Sequence, residues 1–292
     1  MKSVKIAIVG GKGGTGKTIV ASNLAYLISE REKCEVLLVD VDVENPCTYT
    51  LFDTRRELVM TIDAFLPKFN LDKCVYCGTC SEKCPVHAIL VVKGEKLVFF
   101  EVLCEGCATC IYVCPHRAIE RGSREIGKIY SAKANNIDLV IGELNPGSRR
   151  YHEVMEKVLE YSEKLFRQYN YIIFDSPPGT GAGISMIISK ADLVIVVTEP
   201  TMLGFSDLKK LTSLLKKENK KVIIVINKAG LSRKIEAEIE KFARENDFEI
   251  AKIPYSKEIL ETYIQGKLVV KEYPESSSAQ AISRLYELIF SS

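Results

Sequence analysis

Two groups of residues in this chain combine type and spacing in a way that permits chemistry. The first is Gly11-Lys12-Gly13-Gly14-Thr15-Gly16-Lys17-Thr18, which satisfies G-x-x-x-x-G-K-[ST]. Glycines at these positions let backbone N–H groups converge on phosphate oxygens, and a helix expected from Lys17 adds its positive end. Lys17 would neutralise the β- and γ-phosphates of ATP, and Thr18 would supply a hydroxyl to Mg²⁺. The second group is eight of the 10 cysteines, all between Cys74 and Cys114. Cys74, Cys77, Cys80, Cys84 and Pro85 recur as Cys104, Cys107, Cys110, Cys114 and Pro115, an offset of 30 residues throughout. The N-terminal apolar stretch is too short for a secretory leader, so thiols clustered like this are read as metal ligands before disulfides.

The cysteine run resembles C-x₂-C-x₂-C-x₃-C-P of the bacterial two-cluster ferredoxins. In that pattern each triplet holds three corners of one [4Fe–4S] cube while the fourth cysteine ligates the other cube. The resemblance implies one cluster on Cys74, Cys77, Cys80 and Cys114, and a second on Cys104, Cys107, Cys110 and Cys84. Pro85 and Pro115 would redirect the chain, and Val86, Ile89, Val113 and Ile119 would give an apolar surround. Zinc and a three-iron cluster are the alternatives. Zinc favours two separated C-x₂-C pairs, and three irons would go with a missing ligand. His87 and His116 are expected at the surface. Cys34 is expected to be structural, and Cys47 keeps a redox role open.

The elements that must position these groups follow from apolar periodicity. Short β-branched runs at Val4–Val9, Val36–Val39, Leu139–Ile141, Tyr171–Phe174, Leu193–Val197, Val222–Ile226 and Ile250–Ile253 suit strands buried on both faces. Helical patterns lie at Lys17–Glu30, Tyr151–Tyr169, Phe205–Glu218, Lys234–Asn246 and Ser277–Phe290. The alternation predicts an α/β fold with a mostly parallel sheet. The cysteine repeat interrupts it, so the expected domains are a discontinuous nucleotide domain, 1–66 and 128–292, and an inserted iron–sulfur domain, 67–127.

Lys12 extends the first motif to K-G-G-x-G-K-[ST], and here the chain resembles the deviant Walker A ATPases of the MinD superfamily (MinD, ParA, the nitrogenase iron protein and the Mrp group). Asp40-Val41-Asp42 resembles their first switch, and Asp175-Ser176-Pro177-Pro178-Gly179-Thr180-Gly181 their second. The resemblance implies that Lys12 reaches a partner's nucleotide across an ATP-dependent homodimer. It further implies that Asp42 orients the attacking water, that Asp175 holds Mg²⁺ through a water, and that Asp40 supports the magnesium shell. Asn227-Lys228 matches the adenine-contacting position, with Pro254 as a second candidate. A helix-capping role is the alternative for any one of the carboxylates.

As a whole the chain resembles MinD-superfamily P-loop ATPases with an inserted α+β ferredoxin-like domain. The related Mrp-type carriers build a bridging cluster on a C-terminal C-x-x-C pair, whereas this chain has no cysteine after Cys114. The expected activity is ATP hydrolysis that gates electron transfer through two clusters to a redox partner. The alternatives are a cluster- or metallocofactor-assembly ATPase serving an acceptor protein, and a redox-sensing positioning ATPase. The composition agrees with such a reading. In 292 residues there are 40 Lys plus Arg against 38 Asp plus Glu, a net of +2, which gives no bulk attraction to nucleic acid or to an anionic membrane. No apolar stretch approaches the roughly 20 residues of a spanning helix. A cytoplasmic protein is expected.

Overall fold

The computed structural model describes residues 3–218 and 220–290. The outermost ends of the expected nucleotide domain, 1–2 and 291–292, lie outside the described residues. In chain order the first elements are strand β1 (Val4–Val9), helix α1 (Lys17–Glu32), β2 (Val36–Asp40) and β3 (Glu57–Phe69). Next come α2 (Thr79–Glu82), β4 (Ile89–Val92), β5 (Lys96–Phe99), α3 (Thr109–Val113), β6 (Ile119–Ala134) and β7 (Ile137–Leu144). They are followed by α4 (Tyr151–Glu163), β8 (Tyr171–Asp175), α5 (Ala182–Lys190), β9 (Leu193–Thr198) and α6 (Met202–Lys217). The chain closes with β10 (Lys221–Ala229), α7 (Arg233–Glu245), β11 (Glu249–Pro254), α8 (Lys257–Ile264), α9 (Val269–Glu272) and α10 (Ser277–Phe290).

These elements form two compact units. The first takes the chain up to Val59, Ile129–Glu143, and everything from Met155 on. Its strands are the apolar runs of the sequence, and they pair in parallel: β1 with β8 and β9, β2 with β7 and β8, β10 with β9 and β11. Strands buried on both faces need no polar alternation, which is why VLLVD and LVIVVT are buried at every position. The sheet order is β11-β10-β9-β1-β8-β2-β7-β6-β3. The order reverses at β1, since β2 lies on its β8 side and β9 to β11 on the other. Crevices for ligands in open α/β sheets form at the carboxyl ends of the strands beside such a reversal. α1 packs there so tightly that Val20, Leu24 and Ile28 are fully buried. Truncating Leu24 or Ile28 to Ala would cost about 2–5 kcal/mol.

The second unit takes Met60–Lys128 and Leu144–Val154. β4 and β5 form an antiparallel hairpin, and Cys80, Ile89, Cys110 and Ile119 are its buried core. β3 and β6 were not among the expected strands. Pro67, Gly122, Gly127 and a run of charges break the apolar alternation that would have marked them. Residues 144–154 likewise carry no sequence mark of belonging to this unit. α4 stops at Glu163 and yields to a 3₁₀ turn, Phe166–Gln168, six residues before the helical pattern fades. α6 starts three residues early because the Thr201 hydroxyl accepts the Gly204 N–H at 3.0 Å. No helix among the described residues is long and apolar enough to cross a membrane.

Candidate functional site

In the first unit the loop after β1 runs from Gly10 to Gly16 and opens α1. Gly16 has φ 97°, and a Cβ there would stand 2.2 Å from Asn227 Nδ2. Only glycine meets both demands. Asn227 closes this contact by donating to the Thr15 carbonyl at 2.7 Å. Lys17 is buried and donates to the Lys12 carbonyl at 3.3 Å. Burial lowers its pKa, while Asp175 and Asp42 pull the other way.

Carboxylates gather beside it. Thr18 Oγ1 donates to Asp175 Oδ2 at 2.6 Å. Asp175 and Asp40 are fully buried, and burial raises both carboxyls, Asp40 to about 6 and Asp175 well above the usual range. Asp42 is raised by burial too, against the pull of Lys17. Asp42 Oδ1 and Asp175 Oδ1 are buried without a hydrogen-bond partner among the described residues. Buried oxygens left without a donor, next to a hydroxyl and a phosphate loop, fit a hard divalent cation and its waters. Asp40 differs. Its oxygens accept from the N–H groups of Asp42, Cys47 and Thr48 at 3.0–3.2 Å and from Thr48 Oγ1 at 2.9 Å. It ties together the loop that follows β2. Cys47 lies in the same pocket of charge, and burial, then Asp40 and Asp175, push its thiol up to about 12.

The segment Asp175–Gly181 follows from β8, with Ser176 N–H on the Ile8 carbonyl and Gly179 N–H on the Gly10 carbonyl, both at 3.2 Å. Sequence reasoning missed Glu199, one residue past β9. Its carboxylate accepts Lys12 Nζ at 2.6 Å and Lys228 Nζ at 2.8 Å, and Lys228 also donates to the Gly14 carbonyl at 2.9 Å. The signal was available, since an acidic residue at the carboxyl end of the strand next to β1 is placed as Asp40 and Asp175 are. Gly11, Gly13, Gly14 and Thr15 form the rest of the loop, and Pro254 ends β11.

The model of a nucleotide-binding family described as "CobQ/CobB/MinD/ParA nucleotide binding domain" matches residues 6–269. This chain belongs to that family. It is thus an ATPase of the MinD/ParA type. A protein of Methanocaldococcus jannaschii named only as uncharacterized is 33% identical over 91% of this chain and 91% of its own length. A protein of Aquifex aeolicus named "Iron-sulfur cluster carrier protein" is 25% identical over 97% of this chain and 66% of its own. Among solved structures, MinD of Pyrococcus horikoshii complexed with Mg-ADP superposes with a TM-score of 0.63 at 22% identity, covering 98% of this chain and 96% of that one.

The second unit of this MinD/ParA-type ATPase carries the cysteines, and the repeat is visible in its hydrogen bonds. Ala88 N–H donates to Cys84 Sγ at 3.2 Å, and Ala118 N–H to Cys114 Sγ at 3.3 Å. Asn70 N–H meets the Ala118 carbonyl, and Phe100 N–H the Ala88 carbonyl, each at 2.8 Å. His87 and Arg117, again 30 apart, both take left-handed φ, 52° and 49°. Two cavities lie on either side of this relation. One is lined by Cys74, Cys77, Cys80 and Cys114, the other by Cys84, Cys104, Cys107 and Cys110. Apolar neighbours close them: Val91, Leu97 and Ile119 in the first, Phe65, Ile89 and Phe99 in the second. Cys77 and Cys107 are exposed, while Cys80 and Cys110 are buried, which raises the Cys110 thiol to about 11. Among the described residues no three His, Cys, Asp or Glu side chains converge as they would on a single metal ion.

Proposed function

We propose that this ATPase holds two [4Fe–4S] clusters in its second unit and passes electrons through them to a redox partner under the control of its nucleotide. One observation carries the reading: each cavity is lined by the triplet of one cysteine run together with the fourth cysteine of the other. Zinc needs four ligands on one point. In a cube each thiolate binds its own iron, so the four sulfurs surround a volume instead of converging, and the donor set fits that chemistry. Such a group supplies one-electron transfer when bound.

The chain's own residues have definite tasks in this reading. The Ala88 and Ala118 N–H groups direct positive dipoles at the crossing sulfurs, which favours charge on them. Exposed Cys77 and Cys107 bring one edge of each site to the surface, where a partner can come close. Lys17 and the loop amides hold the phosphates, Thr18 and Asp175 hold Mg²⁺, and Asp42 orients water. Lys12 serves the nucleotide of a second copy.

Anaerobically purified protein should contain about eight irons and eight acid-labile sulfides per chain. Stoichiometric zinc with little sulfide would sink the reading. A second reading, delivery of clusters to an acceptor, is favoured by the name of the Aquifex aeolicus relative. Incubation with an apo-acceptor decides: reversible reduction with iron retained supports electron transfer, and loss of iron to the acceptor supports delivery.

A further inference from the structure

The two cysteine runs are repeats, yet their loops differ at one turn. Tyr76, between Cys74 and Cys77, has φ 52°; the residue 30 positions on is Gly106, with φ 72°. The space a side chain would take at Gly106 is filled by Arg150. A Cβ there would lie 1.9 Å from Arg150 Nη2 and 2.7 Å from its Cζ. Nη2 also donates to the Phe65 carbonyl at 3.0 Å, and the Arg150 side chain is only 9% exposed. The cation beside the first run is of another kind. Lys93 passes Gly78 with its methylenes, but its side chain is 73% exposed and pairs with Glu82 at 3.3 Å. A buried guanidinium therefore stands against one cysteine loop, and the matching turn of the other loop carries a tyrosine.

We propose that Arg150 makes the two cluster sites unequal, giving the site of Cys84, Cys104, Cys107 and Cys110 the higher reduction potential, so that an electron shared between the sites rests there. The inference depends on the iron–sulfur reading above. Reduction adds one negative charge, and a fixed positive charge nearby stabilises the reduced state most where water does not screen it. Arginine does not lose its proton, so the bias holds at every working pH. The opposing charges are weaker. Glu105 lies on the same loop but is exposed. Glu101 is taken by Arg124 at 2.7 Å. Glu153 lies 3.6 Å from Arg150 Nε with its side chain open to water. Arg149 lines the cavity that reaches Cys104 and adds positive charge. Only an electron moves, supplied by a low-potential one-electron donor; no bond forms and no proton is transferred.

The test is a potentiometric titration of the anaerobic protein followed by electron paramagnetic resonance, with iron and sulfide measured on every variant. Wild type should show two one-electron waves. Arg150→Gln should move the higher wave to lower potential and leave the lower wave in place. Arg150→Lys, which keeps the charge, should restore it. Glu153→Gln removes the carboxylate facing Arg150 and should move the higher wave up. Wild type without iron and sulfide would defeat the iron–sulfur reading itself. Full iron content with an unmoved higher wave in Arg150→Gln and Glu153→Gln, or movement of the lower wave instead, would overturn the role of Arg150 alone. If Arg150→Gln cannot hold iron, Glu153→Gln decides: an upward shift supports the proposal and an unmoved wave overturns it.

Discussion

Lys12 Nζ lies 2.6 Å from Glu199 Oε1, inside its own subunit. Burial raises the Glu199 carboxyl, but Lys12 and Lys228 more than offset this and hold it below the usual glutamate range. A carboxyl with a lowered pKa contributes above its unfolded value and loses that contribution as pH falls through its folded value, so the pair is intact at neutral pH. A lysine that is to serve a partner's nucleotide must first leave Glu199. Glu199→Gln should therefore favour nucleotide-dependent dimers, by about 1 kcal/mol per subunit, or roughly fivefold. Lys12→Ala should leave monomeric nucleotide binding nearly intact and abolish the dimer. Sedimentation velocity with a non-hydrolysable ATP analogue reads both. Equal dimerisation of wild type and Glu199→Gln would mean that the ion pair holds nothing back.

Lys17 tells a different story, because its ammonium is buried among Asp175, Asp42 and the loop carbonyls. In the proposed reading Lys17 meets the phosphates, and Lys17→Ala removes that charge while leaving Asp175 and Asp42 without it. Nucleotide binding by the monomer should fall by roughly 100-fold or more, equivalent to about 3 kcal/mol. Calorimetry on the monomer measures it, and an unchanged affinity would remove Lys17 from the site.

The parallel strands were legible because burial on both faces leaves a continuous apolar run, and β1, β2, β8, β9, β10 and β11 were each anticipated to within a few residues. The loop after β1 and the carboxylates at the ends of β2 and β8 could be located in the sequence because glycines and strand-end acids have few other reasons to stand so. β3 and β6 were hidden by Pro67, Gly122 and Gly127, which strand patterns seldom tolerate. Glu199 stood at a strand end like the other acids, but its pairing with Lys12, and that of Arg150 with Phe65 and Gly106, join residues far apart in the chain and are fixed by packing that no local pattern records.

The crossing of the cysteines makes a sharp forecast. Cys84 follows Cys80 by four residues, yet it lines the cavity of Cys104, Cys107 and Cys110. Cys84→Ala should damage that site and spare the one on Cys74, Cys77, Cys80 and Cys114. Iron content near half of wild type, with one wave left in the redox titration, is the expected outcome. Loss confined to the nearer triplet's site would contradict the crossing.

Cys47 should be inert in the folded protein. Burial, with Asp40 and Asp175 close by, pushes its thiol from the ordinary 9.0 to about 12. A thiolate is the reacting form, so alkylation by iodoacetamide should be slow at pH 8 and still rising at pH 11. The sign for stability follows: the fold favours the neutral thiol, so the contribution is full below pH 9 and is lost as pH rises toward 12. Peptide mapping after alkylation at a series of pH values checks this, and modification of Cys47 at pH 8 as fast as in the unfolded chain would refute it.

Asp40 holds the N–H and hydroxyl of Thr48, and from Thr48 the chain runs through a 3₁₀ turn, Thr48–Phe52, into β3 and the cysteine unit. The loop after β2 that carries Asp42 is thus continuous with the strand that leads to the cysteines. Phosphate-loop switches rearrange when the γ-phosphate and Mg²⁺ leave. If that rearrangement alters the free energy of reducing the clusters, reduction must alter nucleotide affinity by the same amount. A coupling of about 1–3 kcal/mol would move a one-electron midpoint by roughly 40–130 mV. The measurement is a potentiometric titration without nucleotide, with ADP and with a non-hydrolysable ATP analogue, paired with ATP affinity for oxidised and reduced protein. Asp40→Ala, which frees Thr48, should shrink the difference between nucleotide states in both measurements alike. Equal potentials and equal affinities in every state would leave ATP to control only the encounter with a partner, and the loop after β2 would then transmit nothing to the cysteines.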